Sequence, residues 1–325
     1  MNLSIIIPVY NCARYLLNGF EYLKPIYNSN IDFEIIYVND GSTDNSLSLL
    51  NDLQNSNKYI QVVSQENQGS SGARNTAIEI AKGEFIQFLD SDDLLDAEKI
   101  INMLYEAKQN NFDLYGYKMD FVDENYNQVS EKKRHPLTYN KSMSGIECLI
   151  EGYQPSSICV FLFKRALLIN NNLRIYPKIT HMDIEFMTRV MLCAKKVIFK
   201  DTIAYHYLQR PGSITKPKTK EKLEKFIFDE VTISKLMKEN IQRYKLTNKE
   251  TIDAVKKNYN SVIWNLLWRF VIKPQEVDYD FKIKCLSALK DYGLYPVEGK
   301  LKTSFQKVSR LFFNSERFLK LLLKR

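Results

Sequence analysis

Ile86-Gln87-Phe88-Leu89-Asp90-Ser91-Asp92-Asp93 is an apolar strand running straight into three carboxylates. Like charges this close raise one another's pKa unless something positive sits among them. A hard divalent cation suits the position, because carboxylate oxygens are ligands for Mg²⁺ or Mn²⁺. Such a cation would in turn hold phosphates. The plainer reading is an acidic turn capping a helix that starts near Leu94, and an isolated Asp-x-Asp favours it. What surrounds the stretch reverses that preference.

Upstream, residues 3–9 form a β-branched apolar run of strand length, expected to be buried on both faces and ended by Pro8. A loop at Tyr10-Asn11 and a helix over 13–23 follow. Residues 33–38 read as a second strand, then Asn39-Asp40-Gly41-Ser42-Thr43-Asp44, dense in turn and cap residues, then a helix over 46–53. A third strand at 59–64 leads into Asn67-Gln68-Gly69-Ser70-Ser71-Gly72 and a helix over 73–81. The fourth strand, 84–89, delivers the aspartates. Alternating strands and helices predict an α/β fold with helices against a largely parallel, Rossmann-like sheet. In such sheets ligands collect at the carboxyl ends of the strands, where every one of these polar loops lies.

Downstream, a helix is expected from 94 to 108, a strand over 113–122, a polar loop over 123–141 and a strand at 157–162. A helix begins near Met182, and two short strands lie at 197–199 and 203–207. From about residue 218 the chain turns helical and basic, with helices over 220–239, 249–271, 280–292 and 301–324. This gives an α/β domain over 1–217 and a helical basic region over 218–325.

Net charge is +8 and the pI is about 9.0, which points to an anionic partner such as nucleotide phosphates, nucleic acid or an acidic membrane face. No nucleic-acid motif accompanies that charge, so nucleic acid is not expected. The 5 cysteines are scattered and odd in number, without a Cys-x-x-Cys pair, so a disulfide framework or thiolate zinc site is not indicated and a reducing compartment fits best. The start lacks the basic segment of a signal peptide, and no apolar run is long enough to span a bilayer.

Individually the motifs are ambiguous. Asp40 reads as part of a strand-to-helix turn or as an acceptor for a nucleobase edge. Asn67-Gln68-Gly69 with Gly72-Ala73-Arg74-Asn75 is neither a dinucleotide fingerprint nor a P-loop, but its small residues would let a nucleotide approach backbone, with Arg74 near ribose or phosphate. Asp183 and Glu185 in His181-Met182-Asp183-Ile184-Glu185-Phe186 face different directions on a helix, so one can face a site while the other is solvated. Asp183 also reads as an acidic residue favoured by a helix N-terminus. His206 reads as packed or exposed more readily than as a ligand. Arg210 with Ser213 fits a phosphate clamp.

In this order the pieces resemble the inverting family 2 glycosyltransferases of the GT-A fold, of the bacterial polysaccharide-biosynthesis type. The resemblance rests on Ile5-Ile6-Ile7-Pro8-Val9-Tyr10-Asn11, Val38-Asn39-Asp40-Gly41-Ser42-Thr43-Asp44, Asn67-x-Gly69 with Gly72-Ala73-Arg74-Asn75, and Phe88-Leu89-Asp90-Ser91-Asp92-Asp93. Later matches are Asp183-x-x-Phe186-x-x-Arg189 and Tyr207-x-x-Arg210-x-Gly212-Ser213. It implies that Pro8, Tyr10, Asn11 and Asp40 line the base and ribose pocket of a nucleotide sugar, with Asn67, Gly69, Arg74 and Ser91 also on the donor. Asp90 would contact ribose or metal, and Asp92 would ligate Mn²⁺ or Mg²⁺ on the diphosphate, with His206 as a further ligand. Arg210 and Ser213 would close on the diphosphate. Asp183 would be the general base. The family commonly has Glu-Asp before this helix, and Met182 stands in place of that Glu, so Glu185 is the fallback base. The implied partners are a nucleotide-sugar donor, UDP-linked by preference, and a glycan or polyprenyl-linked acceptor. The implied place is the cytoplasm or the inner face of the cell membrane. A catalytically silent nucleotide-sugar or glycan-binding protein on the same fold is the competing reading.

Residues 301–325 carry seven Lys and Arg against Glu316 alone, with apolar residues at three- to four-residue steps. That predicts one basic amphipathic helix, which either lies on an anionic membrane or docks on the protein. Residues 262–272, with Trp264 and Trp268, read equally as core or as a homodimer contact.

Overall fold

The computed structural model describes residues 1–131, 138–155, 157–209, 219–301 and 303–324. The chain divides into two compact units. Met1–Glu151, Ser156–Lys178 and Val190–Pro211 make the first; Gly152–Pro155, Ile179–Arg189 and Gly212–Arg325 make the second. The boundary expected at 217/218 falls outside the described residues.

The first unit is built on one mixed nine-stranded sheet of β1 (Leu3–Val9), β2 (Phe33–Asp40), β3 (Ile60–Gln65), β4 (Phe85–Phe88), β5 (Leu94–Leu95), β6 (Leu114–Val122), β7 (Gln128–Glu131), β8 (Phe161–Lys164) and β9 (Val197–Leu208). The order is β3-β2-β1-β4-β8-β6-β9-β5, with β7 paired to β6. The helices are α1 (Ala13–Tyr27), α2 (Ser46–Ser56), α3 (Gly69–Ile80), α4 (Ala97–Gln109), α5 (Gly145–Glu151) and α6 (Arg165–Asn170), and a 3₁₀ turn covers Ile158–Val160. Helix α7 (Met182–Cys193) leads back to β9.

Every residue of β1 and β2 is buried, as continuous apolar runs in a parallel sheet must be. Val9 pairs with Asn39, Asp40 with Gln65, and Ile6 with Phe88. The loops after β1, β2, β3 and β4 therefore leave the sheet at one edge. At the opposite edge a buried polar lattice locks the strand starts. The Ser4 hydroxyl donates to Glu34 (2.6 Å), Gly83 N–H donates to Ser4 Oγ (2.8 Å), and Lys82 N–H donates to Glu34 (2.6 Å).

Several expectations need correction. Pro8 lies inside β1 rather than ending it; the β4 ladder stops at Ile6, so Pro8 costs that side no hydrogen bond. Helix α3 starts at Gly69, not Ala73, because Gly69 takes the φ of +78° that its entry turn needs. Leu94-Leu95 is a short strand on β9, and α4 starts afterwards at Ala97, with the Asp96 side chain capping Lys99 N–H (3.0 Å). The polar 123–141 stretch contains β7, and the two strands expected near 200 are one.

The second unit holds α8 (Lys220–Arg243), α9 (Lys249–Ile272), α10 (Tyr279–Asp291), α11 (Ser304–Phe313) and α12 (Glu316–Leu323). The single terminal helix expected over 301–324 is two helices, parted at Asn314 and Ser315. Trp264 is core, its Nε1–H donating to Ser309 Oγ (2.8 Å) and its ring stacked on Trp268. Among the described residues no helix is long and apolar enough to cross a membrane.

A Cβ added at Gly83 would collide with the backbone nitrogen of Ser4. Gly83→Ala is expected to cost about 1–3 kcal/mol, as overpacking does. Urea denaturation followed by circular dichroism would show a lower midpoint with an unchanged slope.

Candidate active site

The acidic turn after β4 is fastened from below. Asp93 is buried, and its carboxylate accepts from the Tyr205 hydroxyl (2.5 Å) and from Leu208 N–H (2.8 Å), both on β9. Burial, then the charges of Asp90 and Asp92, push Asp93 well above the ordinary carboxylate range. Asp90 N–H donates to the same Tyr205 oxygen (3.2 Å), and the Asp90 carboxylate is ion-paired with Arg74, a buried guanidinium delivered by α3. Ser91 and Asp92 remain half-buried at the tip. The β5–β9 pairing sets His206 opposite Leu94, two residues beyond Asp92. His206 Nδ1 lies 2.6 Å from Asp120 Oδ1 on β6. A carboxylate on one ring nitrogen is how metal-binding histidines are oriented, with the other nitrogen, Nε2, left for the ion.

Among the described residues no three His, Cys, Asp or Glu side chains form a ready-made metal cage. The donors at this turn are carboxylate oxygens and one oriented imidazole. That set suits Mg²⁺ or Mn²⁺, which keep positions for water and phosphate oxygens rather than filling an all-protein cage. The residues present therefore fit such an ion.

The second cluster lies at the ends of β2 and β3. Asp40 is 2% exposed. Its Oδ1 accepts from Gln65 Nε2 (2.8 Å) and Gln68 N–H (2.9 Å), and Gln65 Oε1 is held by the Thr76 hydroxyl (2.6 Å). Asp40 Oδ2 is buried without a hydrogen-bond partner among the described residues, which is costly for a carboxylate oxygen. Gly41 has φ +74°, and a Cβ there would come within 3.1 Å of Asn67 N, so a glycine is needed for the two turns to approach. Asn67 is exposed and Gly69 half-buried beside them. Pro8 is buried at the end of β1, and Tyr10 beyond it is 54% exposed.

Asn11 ties two loops of the site together. Its Oδ1 accepts from Thr43 N–H (2.7 Å), Thr43 Oγ1–H (3.3 Å) and Asp44 N–H (3.3 Å), while Asn11 N–H donates to Ser42 Oγ (3.1 Å). It stitches the loop after β1 to the loop after β2.

In the second unit, Asp183 occupies the first turn of α7, half-exposed, where the helix dipole favours an acid. Glu185, the fallback base, is 1% exposed and held by Arg189 Nε and Nη2 (2.7 Å each) and Asn240 Nδ2 (3.1 Å). A carboxylate locked in a buried bidentate pair is structural, so Glu185 is not the solvated one of the two acids. Helix α8 pins the entry to α7: Asp229 Oδ2 accepts from Thr180 N–H (2.8 Å) and its hydroxyl (2.9 Å). Next to it, Glu230 lies 3.9 Å from His181 Nε2 and 3.9 Å from Arg269. Arg210 and Ser213 lie outside the described residues. Sequence reading grouped Asp93 with the other two acids of the turn but not as a buried anchor, and it missed the roles of Tyr205, Asp120 and Asp229, whose partners are remote in the chain.

A family model for "Glycosyl transferase family 2" matches residues 4–168, half of the chain. The chain belongs to that family. It is a glycosyltransferase. An uncharacterized glycosyltransferase of Haemophilus influenzae is 32% identical over 206 residues, 63% of this chain and 76% of its own length. Among solved structures, Staphylococcus aureus TarS 1–349 in complex with UDP-GlcNAc superposes with a TM-score of 0.69 at 20% identity, covering 90% of this chain and 80% of that one. The Pyrobaculum calidifontis mannosyltransferase PcManGT, in complex with GDP-Man and Mn²⁺, gives 0.55 at 15% identity, covering 99% and 84%. Both likenesses concern the fold, which is GT-A with a helical carboxyl-terminal region.

Two outcomes are expected of this glycosyltransferase. Asp93→Ala would strand the Tyr205 hydroxyl and Leu208 N–H in the interior and lower unfolding free energy by about 2–4 kcal/mol, measured by urea titration. Burial raises Glu230 from 4.5 to about 7, against the pull of Arg269 and with a further push from Glu276. A raised acid is easier to protonate when folded, so its ionisation costs stability progressively from pH 4.5 and fully above about 7. Glu230→Gln should flatten the fall in melting temperature between pH 5 and 7.5 and be the more stable form above pH 7, by at most about 3 kcal/mol.

Proposed function

We propose that this glycosyltransferase moves a sugar, with inversion, from a nucleotide-sugar donor to a hydroxyl of a glycan or polyprenyl-linked acceptor in cell-surface polysaccharide synthesis, at the cytoplasmic side of the membrane. The observation that carries the donor reading is Asp40 Oδ2, a buried carboxylate oxygen lacking a partner among the described residues, where the loops of β1, β2 and β3 meet. The imide N–H of a uracil ring is a matching donor, and pairing removes the cost of leaving that oxygen unbonded. Reaching it requires the flanking turns to part slightly. A thymine ring offers the same imide N–H, so UDP-linked sugars are the first choice on the support of the UDP-GlcNAc complex of TarS.

Arg74 and Asp90 would meet the ribose and the first phosphate, with Pro8, Tyr10, Asn67, Gly69 and Ser91 forming the walls. Asp92 and His206 would hold Mn²⁺ or Mg²⁺, a reading supported by the Mn²⁺ complex of PcManGT. When bound, such a cation supplies Lewis-acid stabilisation to the departing diphosphate. Asp183 takes the proton of the acceptor hydroxyl as its oxygen attacks the anomeric carbon from the face opposite the leaving group. The hydroxyl's own pKa lies far above 7, so a positioned base contributes about 10²- to 10⁴-fold. Arg210 and Ser213 would close on the diphosphate.

Asp183→Asn is expected to reduce transfer by about 10²- to 10⁴-fold while nucleotide-sugar affinity by calorimetry stays within about twofold; near-normal turnover would remove Asp183 from the role. A melting-temperature screen across UDP-, dTDP- and GDP-sugars, with and without Mn²⁺, should give the largest rise with a UDP-sugar plus metal. Asp92→Ala should abolish the metal-dependent part of that rise and Asp40→Ala the uracil-dependent part.

A further inference from the structure

Helices α11 and α12 carry apolar residues on their outer side as well as on the side packed against the protein. The buried residues of α11 are Gln306, Ser309 and Phe313, whereas Phe305, Val308, Leu311 and Phe312 are exposed, Leu311 by 71%. The inner contact is part aromatic, with the Phe305 and Phe313 rings against Trp264 and Trp268, and part polar. Ser309 accepts from Trp264 Nε1–H and donates to Phe305 O (2.8 Å each), and Gln306 closes a capping box with Thr303. On α12, Leu319 and Leu323 face in while Phe318 and Leu321 face out, Leu321 by 63%. The two outer faces are continuous across the break at Asn314 and Ser315, since the Phe312 and Phe318 rings lie 5.5 Å apart. A helix held only by its packing onto the protein would present a polar outer face.

Charge narrows the identity of what covers this face. Glu316, the only acid of the segment, is already neutralised by Lys290 (2.6 Å) and Lys320 (2.7 Å). Lys307, Arg317 and Lys324 border the apolar stripe and make no ion pair among the described residues. A second copy of the chain seated here about a two-fold axis would bring these cations together. An anionic lipid surface complements them and accepts the apolar side chains beneath its headgroups.

We infer that the outer face of α11 and α12 is a membrane-docking surface that lies in the interface of an anionic bilayer, with Val308, Leu311, Phe312, Phe318 and Leu321 immersed and the basic residues at headgroup level. The inference stands on the second unit alone and does not depend on the donor or the base proposed above.

The test is sedimentation of the full chain with vesicles of phosphatidylcholine alone or with about one third phosphatidylglycerol. The protein should pellet with the anionic vesicles, weakly with the neutral ones, and be released by 0.5 M salt, where the screening length is about one third of that at 50 mM salt. Val308→Asp/Leu311→Asp alters only exposed positions and should lower binding at least tenfold with an unchanged melting temperature. Lys307→Gln/Arg317→Gln/Lys324→Gln should lower it about a hundredfold, at about tenfold per 1.4 kcal/mol and roughly 1 kcal/mol per cation. Failure of the unaltered protein to pellet would overturn the inference, as would equal pelleting by both variants. So would light scattering that finds a dimer dispersed by Val308→Asp/Leu311→Asp, which would assign the face to a second copy.

Discussion

A buried carboxylate holds the acidic turn in place. Asp93 contributes nothing at the surface, yet its two hydrogen bonds to Tyr205 and Leu208 fix the direction in which Ser91 and Asp92 leave the sheet. The same tyrosine oxygen receives Asp90 N–H, so one side chain of β9 organises both ends of the turn. Three carboxylates in four residues are mutually repulsive. The fold relieves this by burying one, pairing another with Arg74 and leaving the third half-exposed. The local charge is thereby concentrated where a cation and a diphosphate could meet it.

The same device recurs in the second unit. Two acids two residues apart on α7 are sorted by burial. Glu185 is consumed by Arg189 and Asn240, and Asp183 stays half-exposed in the first turn. The turn before them is tied to α8 by Asp229. The carboxyl-terminal helices thus hold the segment that precedes Asp183 as well as forming a compact body of their own.

Much of this was legible in the chain. Doubly buried strands such as β1 and β2 announce themselves as unbroken apolar runs, and the loops at their ends announce themselves by composition. The misread places have local reasons. Gly69 to Gly72 has poor helix propensity, so α3 looked shorter than it is. Leu94-Leu95 satisfies a helical or a strand pattern equally, and pairing with β9 decided it. The Gln128–Glu131 strand is polar enough to pass for loop. The terminal basic segment has one helical period throughout, which conceals the break at Asn314. In the site, Asp40, Asp90 and Asp92 stood out by position after strands. Asp120 and Tyr205 did not, because their meaning lies in partners 86 and 112 residues away along the chain.

Asn11 has an implication for how such a site diversifies. One amide oxygen supplies three hydrogen bonds to the neighbouring loop, and Asn11 itself sits at φ +50° to do so. The first and second loops are therefore a single mechanical piece. A graft that lengthens either one in isolation would strip those amide hydrogens of their acceptor, so variation in pocket shape here has to be inherited in pairs, with the two loops exchanged together.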